Sequence, residues 1–240
     1  MCLTTFSVLP WPRPVWDEEA RPKMPLFLPL LGVLLGGICA AAAYLLRLLP
    51  LPQPVGGVLL CALPFFLTGG IHMDGFCDTV DALKSRRDLD ERRKILKDPH
   101  VGSFAVLSAA LLVVAQFAFF TSAGADADSR ALILIFTASR TAAALAVTVL
   151  RPIAVSRYAG IYQEGIQIST VVLLSLILVL SVTLGFLFLG KYGFAALFTL
   201  GGYLLYLFRG VRALGGMSGD ISGYALTFGE LCGIALYALI

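Results

Sequence analysis

The chain has 240 residues, of which 58% are apolar and only 14% charged, and its mean hydropathy is +0.88. A soluble domain carries about 25% charge, so the composition excludes one and predicts an all-α, polytopic integral membrane protein forming a single unit over 1–240. A formal net charge of +3 leaves no nucleic-acid footprint, and the five scattered cysteines, without a Cys-x-x-Cys, read as reduced packing residues.

In chain order, residues 1–25 do not read as a signal peptide. The apolar start is short, Pro10, Pro12 and Pro14 interrupt it, and no small-residue cleavage site follows. Phe6, Val8, Leu9, Trp11 and Trp16 are expected in the membrane interface, or in a loosely ordered tail. Seven segments of near-spanning length follow, at 26–46, 54–70, 102–122, 131–150, 168–189, 192–208 and 223–240. The tight turn at 190–193 predicts a helical hairpin, and Pro64 is of a kind that membrane helices tolerate.

Lys and Arg set the orientation. With the 71–101 connection in the cytoplasm, fourteen of the 18 cations fall inside, only Arg47, Arg130 and Lys191 fall outside, and Arg140 lies within a segment. The same alternation puts the long polar connections 71–101, 151–167 and 209–222 on one face. An active site is therefore expected at the cytoplasmic face of a multi-pass protein of the cell (inner) membrane.

The run at 69–82 carries the strongest chemical signal. Asp74, Asp78 and Asp81 stand at i, i+4 and i+7, which puts three carboxylates on one helix face about 60° wide. Like charges that close are costly without a cation, and hard oxygen ligands favour Mg²⁺. The competing reading is a solvated acidic face. Gly69, Gly70, His72 and Gly75 surround the acids and favour the metal.

A basic helix is expected over 89–97, capped by Asp88 with Glu91 three residues on. Its cations suit anionic lipid headgroups or a wall facing phosphate. Asp98 is the obvious fourth metal ligand, and Lys97 a phosphate contact. Gly102 and Ser103 open the next helix, whose positive end can receive a phosphate. Arg140 sits inside an apolar segment, where a charge by default marks function. Its alternative is a structural pair with a buried acid such as Glu230. Arg151, Arg157, Tyr158 and Gly160 lie in a further loop that can clamp phosphate. The run Gly215-Gly216-Met217-Ser218-Gly219-Asp220 permits a backbone nest for phosphate, although Asp220 can also cap the helix that follows.

These residues resemble one family. Gly69 to Ala82, then Lys97-Asp98 and Gly102-Ser103-Phe104, look like the cobalamin synthase (adenosylcobinamide-GDP ribazoletransferase) motif Gly-Gly-x-His-x-Asp-Gly-x-x-Asp-x-x-Asp-Gly followed by Lys/Arg-Asp-Ser-Arg-x-Gly. Leu214 to Asp220, Glu230, Ser139-Arg140 and Leu9-Pro10-Trp11-Pro12 resemble further motifs of that family. Ala82 stands where glycine is usual, Pro99-His100 where Ser-Arg is common, and 157–165 aligns loosely. The resemblance implies a transferase that joins adenosylcobinamide-GDP to α-ribazole, or its 5′-phosphate, and releases GMP. Asp74, Asp78, Asp81 and Asp98 would hold Mg²⁺, and one carboxylate or His72 would take the hydroxyl proton. Lys97, Gly102, Ser103, Arg140, Gly215, Gly216, Gly219, Asp220 and Glu230 would serve substrate. Its partners are then the corrinoid nucleotide, α-ribazole and membrane lipid, with no nucleic acid, and an oligomer is compatible. Two rivals are a CDP-alcohol phosphotransferase, whose Asp-Gly-x-x-Ala-Arg run is absent, and a divalent-cation transporter, which would carry acids through the bilayer.

Overall fold

The structure, a computed structural model, describes residues 1–11, 17–124, 126–153 and 168–240. The expectations that fall on Pro12, Pro14, Trp16, Arg157, Tyr158 and Gly160 lie outside these residues.

All regular elements among the described residues are helical, apart from one parallel bridge between Pro152 and Met217. A short α1 (Cys2–Phe6) and a 3-10 segment (Arg21–Phe27) precede α2 (Leu28–Leu48), α3 (Gln53–Thr68), α4 (Ile71–Lys84) and α5 (Leu89–Ile95). Then come α6 (Ser103–Ser122), α7 (Ala131–Val149), α8 (Ile168–Leu189), α9 (Gly193–Leu214) and α10 (Gly219–Leu239). All seven expected segments are helical. Two boundaries moved for local reasons. Ser218 accepts the Ile221 N–H at 3.2 Å and so starts α10 early. In the other case α9 runs on to Leu214, where Gly215 ends it at φ 73°.

By length and hydropathy five stretches suffice to cross a membrane, or six if α3 and α4 are joined across their 93° bend. One of the five is 168–214, whose 47 residues would extend about 70 Å if straight, twice a bilayer core. The chain instead reverses at Gly190–Tyr192. A Cβ on Gly193 would lie 2.7 Å from the Phe186 nitrogen, so α8 and α9 close the expected hairpin.

Contacts sort the turns to two ends. At one end Arg47 donates to the Ala127 carbonyl and, at 2.6 Å, to the Tyr237 hydroxyl, while Lys191 donates to the Ile240 carbonyl. At the other end Gly102 N–H donates to Asp81 at 2.6 Å and Met217 N–H to Arg151 at 2.8 Å. Between the two ends α7 forms the centre, with 15 of its 19 residues buried. The glycines Gly32 and Gly36 let α2 lie directly on its backbone. Only Leu174 and Gly185 of α8 are buried, which suits a helix that is apolar all round and faces lipid.

The N-terminal stretch is not a loose tail where it is described. Cys2 is buried, Met1, Leu3 and Phe6 pack on the core, and Val8 N–H donates to the Leu67 carbonyl at 2.9 Å.

Candidate active site

The site begins at the elbow between α3 and α4. Gly69 (φ 62°) and Gly70 (φ 77°) are both left-handed, a region costly for side chains with a Cβ. Their N–H groups return to Phe66 and Phe65, ending α3 and turning the chain by 93°. At 14 residues and with three acids, α4 is too short and polar to span by itself. It packs instead on the start of α10. A Cβ on Gly75 would lie 2.8 Å from the Asp220 Cα, and one on Gly223 2.9 Å from the His72 carbonyl oxygen. Only glycine at both positions allows that approach, which brings Asp220 to the acids of α4.

Asp74, Asp78 and Asp220 form the resulting acidic group. Burial, then the like charges of Asp74, Asp220 and Asp81, raise the Asp78 carboxyl from 3.8 to about 6. Asp81 adds to that repulsion but has another task. Its two oxygens accept the N–H groups of Gly102 (2.6 Å) and Ala105 (2.9 Å). It therefore caps α6 across 21 residues of sequence. The helix end that Gly102 and Ser103 open, expected to receive a phosphate, receives this carboxylate. A Cβ on Gly102 would lie 2.7 Å from it, so the glycine is what lets the cap close.

Asp98 does not join the acids. It is exposed and holds His100 through the ring Nδ1 (2.6 Å) and the backbone N–H (3.0 Å), which keeps its carboxyl below the usual range. Lys97 is likewise exposed, beyond the end of α5.

Beside the acids lies a cavity of about 330 Å³. Its walls come from α1 and the 3-10 segment (Thr5, Phe6, Arg21, Met24), α4 (His72, Asp74), α7 (Arg140) and α10 (Gly219, Asp220, Ser222). Arg140 is 1% exposed and pairs with Glu230, whose carboxylate also accepts from Ser139 at 2.7 Å. Both readings of Arg140 thus meet in one residue, since it is half of a buried pair and also faces the cavity. Burial, reinforced by the Arg140 charge, lowers His72 to about 3. The ring is therefore neutral at pH 7, and its shielded Nε2 makes no hydrogen bond.

The glycine loop is not an open nest. Gly215 and Gly216 N–H both donate to the Val211 carbonyl, and Met217 N–H to Arg151. Gly215 and Gly216 thus end α9 rather than present donors, while Gly219 alone of the three glycines reaches the cavity. The basic α5 has a task here too. Arg93 donates to the Leu214 carbonyl at 3.0 Å, placing a cation on the negative end of α9. Asp88 accepts the Glu91 N–H at 3.0 Å, as the capping pattern predicts.

Thr5, Phe6, Arg21 and Met24 are wall residues that sequence reasoning missed. The resemblance of Leu9-Pro10-Trp11 to a family motif was the signal that the N-terminal stretch belongs to the site.

Among the described residues no group of three or more His, Cys, Asp or Glu side chains closes into a metal-binding cluster. Mg²⁺ does not need one, because it usually takes one or two carboxylates with waters and substrate phosphates. The donor chemistry fits such a cation, since Asp74, Asp78 and Asp220 offer hard oxygens, and burial with their like charges raises the Asp78 carboxyl.

A family model described as cobalamin-5-phosphate synthase matches residues 1–238. A protein of Clostridium perfringens (strain SM101 / Type A) named adenosylcobinamide-GDP ribazoletransferase is 35% identical over 244 aligned residues, covering 100% of this chain and 96% of its own. One of the same name from Clostridium botulinum (strain Alaska E43 / Type E3) is 32% identical, covering 98% and 94%. One from Lachnoclostridium phytofermentans is 29% identical, covering 96% and 89%. No solved structure matches significantly. A match along almost the whole length, from α1 to the last turn of α10, means that this chain belongs to the cobalamin-5-phosphate synthase family of transferases.

Proposed function

We propose that the chain joins adenosylcobinamide-GDP to α-ribazole, or to its 5′-phosphate, giving adenosylcobalamin or its phosphate and GMP. A ribose hydroxyl of the acceptor attacks the phosphorus on the cobinamide side of the diphosphate. The P–O bond to GMP breaks, and the hydroxyl proton leaves to a carboxylate of the acidic group. Such a displacement depends on positioning and on neutralising charge more than on covalent help. Held by one or two of Asp74, Asp78 and Asp220 together with substrate phosphate and water, Mg²⁺ would neutralise the diphosphate and the departing GMP. His72 would hold the acceptor through its neutral ring, and Gly219 would let the diphosphate approach the α10 backbone. Arg140, fixed by Glu230 and Ser139, would keep a positive wall opposite the acids. We place the site at the cytoplasmic face from the distribution of Lys and Arg.

The observation that carries this reading is the close crossing at Gly75 and Gly223. It sets two acidic helix ends beside one cavity with a cationic wall. The test is GMP release by the detergent-solubilised protein given both substrates, with and without Mg²⁺. Asp74→Asn and Asp78→Asn should each lower turnover at least ~100-fold. Near-wild-type turnover in both would remove the acids from the chemistry, and movement of labelled metal into vesicles without GMP release would replace a transferase by a transporter.

A further inference from the structure

The cavity beside the acids is polar along part of its wall and apolar along the rest. Met24 and Leu28 line it from the N-terminal side, and Ala143, Val147 and Leu226 line it from α7 and α10. Met24 and Leu28 pack into one core cluster and the other three into a second, so the cavity lies between two apolar surfaces. All five side chains are at most 8% exposed. A volume of about 330 Å³ suffices for a small ligand. Apolar walls that border empty space lack the dispersion contacts that a guest restores.

The substrates differ in what they could place there. The corrin ring is large and fringed with amides. Guanine presents donors and acceptors along its edge, which these apolar side chains cannot satisfy. The base of α-ribazole is a dimethylbenzimidazole, flat and apolar apart from one imine nitrogen. Phe6 and the neutral ring of His72, 12° from parallel, line the same cavity, which suits a planar aromatic guest better than a lipid chain. Asp74 and Asp220 complete the wall. A base held between the apolar surfaces therefore leaves its ribose hydroxyls beside the carboxylates.

We infer that the slot between Met24 and Leu28 on one side and Ala143, Val147 and Leu226 on the other seats the base of the acceptor nucleoside, and that Ala143 and Val147 set the size of base accepted. This assignment rests on the transferase reading above. It is tested on the full-length protein in detergent by GMP release and by equilibrium dialysis, with α-ribazole and with the benzimidazole α-riboside that lacks its methyl groups. Ala143→Val narrows the slot and should raise KM and Kd at least ~10-fold for α-ribazole and less than ~3-fold for the smaller acceptor, the scale of a methyl group in an apolar pocket. The KM for adenosylcobinamide-GDP should stay unchanged, which a general loss of packing would not allow. Val147→Ala widens the slot and should improve kcat/KM for the larger naphthimidazole α-riboside at least ~3-fold relative to α-ribazole, and this variant decides if Ala143→Val does not fold. Equal losses with both acceptors in Ala143→Val, no loss with either, or an unshifted preference in Val147→Ala would overturn the assignment. Absence of GMP from the unaltered protein would remove the transferase reading, and the ratio of the two dissociation constants by dialysis would still decide the slot.

Discussion

Asp78 and Asp81 lie within one turn of α4, yet they meet different partners. Asp81 is spent on two N–H groups of α6. Asp81→Asn keeps one acceptor oxygen but turns an NH₂ donor towards the other N–H, so its melting midpoint should fall less than that of the alanine variant. Asp81→Ala uncaps α6 and should cost about 1–2 kcal/mol, seen as a lower midpoint in detergent. Equal midpoints for the two variants would show that the cap contributes nothing. Asp78 behaves in the opposite sense. Its carboxyl titrates at about 6 in the fold against 3.8 ordinarily, so the folded chain holds the extra proton between those values. Stability therefore falls as pH rises through that window and stays lower above it. In metal-free protein, Asp78→Asn should melt above the unaltered chain at pH ~7 and no higher than it at pH ~3.5. A lower midpoint at pH ~7 would contradict the crowding. The sequence stripe made the acids visible, but it could not distinguish these roles. The partner of Asp81 is 21 residues away, and although Asp74 crowds Asp78 from the same helix, the further charge of Asp220 is brought close only by the fold.

At the scale of elements, the hydropathy runs located every long helix because each must cover a bilayer-sized length with apolar side chains. The devices between them were less legible. Gly215 and Gly216 look like a phosphate nest in sequence, and a helix end that uses their N–H groups looks the same. Arg93 looks like a lipid or substrate contact until α9 is seen to end against it. Nothing in the composition of residues 1–11 says that they dock against the α3–α4 elbow. The crossing of α4 on α10 supplies the element-scale prediction. Gly223→Ala would put a methyl 2.9 Å from the His72 carbonyl. Because the backbone must shift, the two helices separate and the Asp220 carboxylate moves away from Asp74. Turnover should fall at least ~10-fold, while the folded yield in detergent changes little. Gly37→Ala meets open space and serves as the matched control. Equal turnover in the two variants would mean that the spacing of α4 and α10 does not matter.

For the whole molecule, the two ends differ in charge as well as in contacts. Lys84, Arg86, Arg87, Lys97, Arg209 and Arg212 belong to the end that holds the acids, whereas Arg47, Arg130 and Lys191 belong to the other. Cations close to membrane helices are retained on the cytoplasmic side, so the acid-bearing end should face the cytoplasm, where nucleotide substrates are made. Lys97 and Lys191 report the two ends well, since both are exposed. The five native cysteines are free and mostly buried, and replacing them with alanine gives a clean background. In that background, a membrane-impermeant maleimide should label Lys191→Cys in intact spheroplasts and Lys97→Cys only in inverted vesicles. Labelling of Lys97→Cys from outside would invert the protein. The acidic site would then face away from the cytoplasmic nucleotide pool, and a GDP-activated corrinoid could not reach it without first crossing the membrane.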